Sequence, residues 1–203
     1  TLSTAIEALE DRPLQERLAV LEPFLKLCDA VAYAHAKNII HRDLKPENIA
    51  LGEFGEVVVL DWGLAKRQAQ AADSEERSGA RDVDAFQTDS GGLGTAGYIA
   101  PEALRGDGPA PDERGDVYSL GVILFQILTG RLPFPVEPLS EYFTSVATED
   151  PPAPRSLDPT VPEALDRLCT QAVCRERGER LPSVRALADG VRQWQTQSAL
   201  DRE

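Results

Sequence analysis

Along the chain, Leu18, Leu21, Leu25, Cys28 and Ala32, with His35 continuing the series, recur every three or four positions and mark one face of a helix between Leu14 and Ala36. Pro23 either opens that helix in its first turn or kinks it, and Asn38 suits a left-handed stop. Ahead of it, Thr4-Ala5-Ile6-Glu7 has the form of a capping box opening a short helix to about Glu10. The pattern then shortens. Asn38–Ile40, Ile49–Leu51 and Val57–Leu60 are apolar runs of strand length. Gly52 and Gly55 sit between the last two as a hairpin loop would need. The unbroken run Val57–Leu60 predicts a strand covered on both faces.

Arg67 to Gly92 is charged and without period, and reads as a long loop. Pro101 can open a short helix with Glu102 at its positive end. Val117 to Leu128 is apolar all round, which predicts a helix buried at the centre of a helical domain. Gly121 inside it implies close approach of another backbone, and Gly130 and Pro133 end it. Ser140–Val146 is a weak helix, and the proline-rich stretch Asp150–Pro162 reads as an extended linker. Thr160-Val161-Pro162-Glu163 resembles a second capping box, opening a helix through about Val173. A charged loop spans Arg175–Arg180. Val184, Leu187, Ala188, Val191 and Trp194 then share one helical face, Trp194 as a core anchor, before a polar tail that frays. The sum is a mainly α fold: a helical bundle around a buried central helix, with a small β-hairpin.

Composition narrows the class. The 203 residues, 42% of them apolar, suffice for one sizeable domain with its own core. No run reaches the length of a membrane span and no signal-peptide pattern opens the chain, so a cytoplasmic setting is expected. Cys28, Cys169 and Cys174 lack metal-type spacing and read as reduced and structural. A formal charge of −13 disfavours nucleic acid as a partner, since such binding begins with a basic face. The chain contains no Met, which suggests a piece of a longer protein.

The chemistry is concentrated in His41-Arg42-Asp43-Leu44-Lys45-Pro46-Glu47-Asn48, a loop clamped at both ends by strand-like runs. Asp43 can take a proton from a hydroxyl, Lys45 can neutralise a transferring phosphoryl group, and the Asn48 amide oxygen can ligate Mg²⁺. Asp61, at the end of the returning strand in Asp61-Trp62-Gly63, is the second metal-ligand candidate. Ser74, Ser78, Thr88 and Ser90 are hydroxyls open to phosphorylation, with Thr88 and Ser90 nearest the next motif. His35, on the apolar helix face, reads as a packed histidine satisfied by a backbone group.

His41–Asn48, Asp61-Trp62-Gly63, Gly94–Glu102 and Asp116–Gly121, in this order, resemble the protein-kinase family and its bacterial serine/threonine branch. The likeness covers residues 1–196, with an activation segment at 61–102 and a polar tail at 197–203, and it corresponds to the larger, C-terminal lobe of the kinase fold. It implies that Asp43 is the catalytic base, that Lys45 lies along the γ-phosphate of ATP, and that Asn48 and Asp61 hold Mg²⁺. It implies that Arg42 pairs with a phosphate on the activation segment, on Thr88 or Ser90. Lys45 together with Thr95 points to a serine/threonine rather than a tyrosine acceptor on a protein substrate. His41 is a structural member, Glu102 and Arg180 match a family ion pair, and Asp116 matches the acid that braces the catalytic loop. Trp62 stands where the family has Phe, which implies a retuned loop with metal binding kept. The Gly-rich phosphate loop, the strand Lys and its helix Glu belong to the smaller N-terminal lobe, and none precedes His41. These residues alone are therefore expected to be weak or inactive, their missing partner being that lobe. A catalytically silent, protein-binding module is the alternative; it would usually have lost the base or a metal ligand.

Overall fold

The computed structural model describes residues 1–67, 96–105 and 112–201. Helices α1 (Leu2–Glu7) and α2 (Leu14–Arg17) lead through a 3-10 turn at Leu18–Val20 into α3 (Leu21–Ala36). The cap of α1 is Thr1, whose hydroxyl accepts the Thr4 N–H, and not the Thr4 box. Starting there puts the buried Leu2 and Ile6 one turn apart on the same face. Pro23 falls in the first turn of α3, where backbone N–H groups have no intrahelical partner to lose. Asn38, with φ 58°, ends the turn after α3 in the left-handed region that Asn tolerates.

Four short strands follow among the described residues: β1 (Ile39–Ile40), β2 (Ile49–Leu51), β3 (Val57–Val59) and β4 (Lys66–Arg67). β2 and β3 form an antiparallel hairpin with Ile49 opposite Val59, and β1 pairs with β4, Ile40 opposite Lys66. Gly55, with φ 81°, makes the hairpin turn, and Lys26 of α3 donates to its carbonyl at 2.9 Å. The strand β3 is covered on one face only. Val59 is buried, while Val58 and Leu60 remain 52% and 44% exposed. Side chains alternate across a strand, and only the Val57 and Val59 side meets the core.

Beyond residue 95 the described residues are mainly helical: α4 (Pro101–Arg105), α5 (Glu113–Thr129), α6 (Leu139–Thr148), α7 (Pro154–Leu157), α8 (Glu163–Ala172) and α9 (Val184–Leu200). The predicted central helix is α5, and it is wrapped by α2, α3, α7, α8 and α9. Val117, Leu120, Val122, Ile123, Leu124 and Phe125 have no exposed surface; each such burial contributes roughly 1.5–3 kcal/mol. Asp112 caps it through the Arg114 N–H, and Gly130, with φ 74°, ends it. A Cβ on Gly121 would lie 2.7 Å from Ala172 Cβ, so α5 and α8 approach at backbone distance. Arg192 of α9 reaches Asp29 of α3 at 2.6 and 2.7 Å. Cys28 and Cys169 are buried free thiols, and burial raises both above their usual ionisation range.

Three further expectations differ from the structure. The stretch Asp150–Pro162 contains α7, opened by Pro154 and held by Arg155, whose N–H donates to Asp166 and whose guanidinium donates to the Val161 carbonyl. Thr160 caps nothing: its hydroxyl and amide both turn to Asp158, and α8 starts at Glu163 with no side-chain cap. The helix α9 passes Trp194 and runs to Leu200, carried by hydrogen bonds such as Thr196 Oγ1 to the Arg192 carbonyl. No helix among the described residues is long and apolar enough to cross a membrane.

Candidate active site

The loop His41–Asn48 runs from β1 to β2, so its ends are fixed by two different strand pairs. Pro46 opens a 3-10 turn that closes with the Asn48 N–H on the Lys45 carbonyl at 3.0 Å. That turn folds Asn48 back onto Asp43. Its Nδ2 donates to the Asp43 carbonyl at 2.9 Å and to Asp43 Oδ2 at 3.2 Å. Lys45 Nζ lies 3.7 Å from the same Oδ2. With its amide nitrogen committed to Asp43, Asn48 presents Oδ1 for a cation. Its backbone carbonyl accepts the Leu60 N–H at 2.8 Å, which brings the residue before Asp61 alongside.

Asp61 adopts φ 56° and ψ 63°, and its side chain accepts the Gly63 N–H. It is exposed, so the carboxylate stays solvated and available to a metal. Among the described residues no group of three or more His, Cys, Asp or Glu side chains converges to cage an ion. Asn48 and Asp61 nevertheless fit Mg²⁺. They are hard oxygen donors, few in number, and Mg²⁺ typically takes one or two carboxylates and completes its shell with water and phosphate. Trp62 packs its ring edge-on to His41, centroids 4.6 Å apart, and donates its indole N–H to the Val59 carbonyl at 3.0 Å. The larger ring is thus tied to the strand as well as to the loop.

Behind the loop stands Asp116, fully buried in the first turn of α5. Its two oxygens accept the N–H groups of His41 and Arg42, each at 2.9 Å. Arg42 has φ 72°, a conformation that persists only when neighbours hold it; Asp116 is that hold. His41 Nε2 lies 3.0 Å from the Leu60 carbonyl, joining the loop to the metal motif. His35 is packed as its place on the apolar face implies, but sequence reasoning missed its partner. Its partner is not a backbone group but Asp116, at 2.7 Å from Nε2, with Glu113 3.4 Å from Nδ1. No local spacing signals that contact, because its partners lie on another helix.

Glu102 of α4 and Arg180 form a bidentate pair at 2.7 and 3.0 Å. Arg180 is buried; it also donates to the carbonyls of Arg114 and Cys174, and lies over the Tyr118 ring at 5.0 Å. Thr95, Thr88 and Ser90 fall outside the described residues. One Gly-x-Gly-x-x-Gly spacing does occur, Gly92 to Gly97, but it follows the metal motif in the chain, whereas the family's nucleotide loop precedes the catalytic loop.

Asp43 thus has an amide hydrogen-bonded to it and an amine 3.7 Å away, beside a solvated second carboxylate, and this set sits on a helical lobe. Residues 2–190 match the protein kinase domain family, and the chain belongs to it. It is 38% identical over 183 residues to the serine/threonine-protein kinase PknD of Protochlamydia amoebophila, covering 87% of this chain and 18% of that protein. It is 38% identical over 178 residues to the serine/threonine-protein kinase Pkn1 of Myxococcus xanthus, covering 85% and 24%. A further PknD, from Chlamydia muridarum, is 34% identical over 210 residues, covering 93% and 22%. The chain thus spans about a fifth of the length of these bacterial relatives.

Proposed function

We propose that this chain is the catalytic lobe of an ATP-dependent serine/threonine protein kinase. The observation that carries the reading is the convergence of Asp43, Lys45 and Asn48, with Asp61 brought alongside through the Leu60–Asn48 bond. In this reading Asp43 orients the acceptor hydroxyl and takes its proton. Lys45 lies along the γ-phosphoryl group, and Asn48 with Asp61 holds Mg²⁺, which neutralises phosphate charge. Thr95 contributes to the choice of a serine or threonine acceptor. Arg42 receives a phosphate on Thr88 or Ser90.

A second lobe, supplied from outside these residues, closes over the nucleotide. The exposed apolar series Val58, Leu60 and Trp62 supports this, because it flanks the metal motif and stands open among the described residues. The setting we assign is cytoplasmic, in line with the buried thiols of Cys28 and Cys169.

The test is Asp43→Asn in the full-length protein. Phosphate transfer to a Ser/Thr protein, followed with labelled ATP, is expected to fall by roughly a hundredfold or more while the unfolding midpoint stays close to wild type. Unchanged transfer would remove Asp43 from the role of base.

A further inference from the structure

Outside the catalytic loop, a buried polar contact on α6 stands out. Tyr142 is 2% exposed, and its hydroxyl donates to the backbone carbonyl of Ala96, the residue after Thr95. Around that bond Ala96, Phe134, Tyr142 and Val146 form a small core separate from the main one around α5. The helices α4 and α6 pack together on it. From the other side, α5 holds the same segment: Ser119 donates to the Tyr98 carbonyl at 2.8 Å, and the Tyr98 hydroxyl donates to Gln126 at 2.7 Å. Residues 96–100 are therefore suspended between a central helix and a satellite one.

We propose that Tyr142 is a positioning residue for the protein substrate: by fixing Ala96, the neighbour of the Thr95 assigned above to acceptor choice, it sets the backbone that meets the acceptor chain and so governs substrate affinity. The proposal rests on the kinase reading above. The Ala96 carbonyl is used twice, by Tyr142 and by the Ile99 N–H at 3.3 Å. Removing the phenol oxygen leaves that turn in place and cuts only its tie to α6. No described hydrogen bond or ion pair joins Tyr142 to Asp43, Lys45, Asn48 or Asp61. Burial raises the phenol above its ordinary ionisation range, so it remains a donor throughout the working pH range. A Phe would fill the same apolar site; a hydroxyl there needs its partner.

The experiment compares Tyr142→Phe with wild type in the full-length protein, using casein as acceptor. Thr144→Ala is the control, because that hydroxyl's bond among the described residues stays within its own helix, at the Ser140 carbonyl. Hydrogen exchange is read on the same proteins. Tyr142→Phe is expected to speed exchange in residues 96–100 and to raise KM for casein roughly five- to tenfold, with kcat and the KM for ATP within about twofold. The control should change neither. Unchanged exchange in 96–100, or faster exchange with an unchanged KM for casein, overturns the proposal. A wild-type protein that transfers no phosphate sinks the kinase reading instead, and the exchange result then decides the tie between Tyr142 and the segment by itself.

Discussion

Arg180 is a cation taken almost wholly out of water, and its survival there depends on Glu102. The carbonyls of Cys174 and Arg114 satisfy N–H groups but carry no charge to balance it. Glu102→Ala is therefore expected to cost about 3–5 kcal/mol of unfolding free energy, the usual penalty for stranding one partner of a buried pair. Replacing both, as Glu102→Leu with Arg180→Met, should cost less than the single change. Urea denaturation of the three proteins checks this, and a single-variant loss under about 1 kcal/mol would mean the carbonyls suffice. At this scale, spacing along the chain made legible only what is local, while the distant Glu102–Arg180 pair and the Asp116 brace were legible only through the family resemblance. Asp43, Lys45 and Asn48 lie within one loop, so their meeting follows from a single turn at Pro46. The contact of His35 with Asp116 spans 81 positions, and that of Tyr142 with Ala96 spans 46. A histidine on an apolar helix face and a tyrosine in a weak helix carry no mark of such partners.

Helix-to-helix spacing is set by two glycines that differ in what they face. A Cβ on Gly121 of α5 would meet Ala172 Cβ at 2.7 Å and its carbonyl carbon at 2.9 Å. A Cβ on Gly190 of α9 would meet only the end of the Leu168 side chain, at 2.4 Å from Cδ2. The second contact is shorter, yet a leucine can rotate and a backbone cannot. Gly→Ala in a helix interior gains about 1 kcal/mol of propensity at either site. Gly121→Ala is nevertheless expected to be net destabilising by about 1–3 kcal/mol through overpacking, and Gly190→Ala to be near neutral. Denaturation midpoints compare them directly, and equal losses would show that α8 yields as readily as a side chain. Periodicity made α3 and α9 readable, because each buries a continuous stripe, and α5 was readable because it is apolar and buried all round. It failed at α7, whose fold rests on Asp166 and Val161 reached from Arg155. It failed again at the end of α9, where a polar sequence stays helical on its own hydrogen bonds.

At the scale of the whole molecule, an apolar series beside the metal motif stands open among the described residues. Beside the metal motif, Val58, Leu60 and Trp62 are open, and the hairpin tip carries Phe54 at 90% exposure. The strand run Val57–Leu60 read as buried on both sides for a physical reason: apolar content reports that a surface is to be covered, but not by which molecule. If the cover is a second lobe with the nucleotide beneath it, this lobe alone supplies the metal donors and Lys45 while half the contacts to the nucleotide are missing. Binding of Mg·ATP to the 203-residue chain is then expected in the millimolar range. At about 1 mM ligand such an affinity stabilises the fold by only about 0.4 kcal/mol, which for a domain of this size moves the unfolding midpoint by about 1 °C. The same measurement on the full-length protein should give a shift several-fold larger, and Asp61→Ala should reduce both. A shift above about 5 °C for the 203-residue chain, near 2 kcal/mol or more, would mean that the open face already forms a complete nucleotide site and would remove the case for a second lobe.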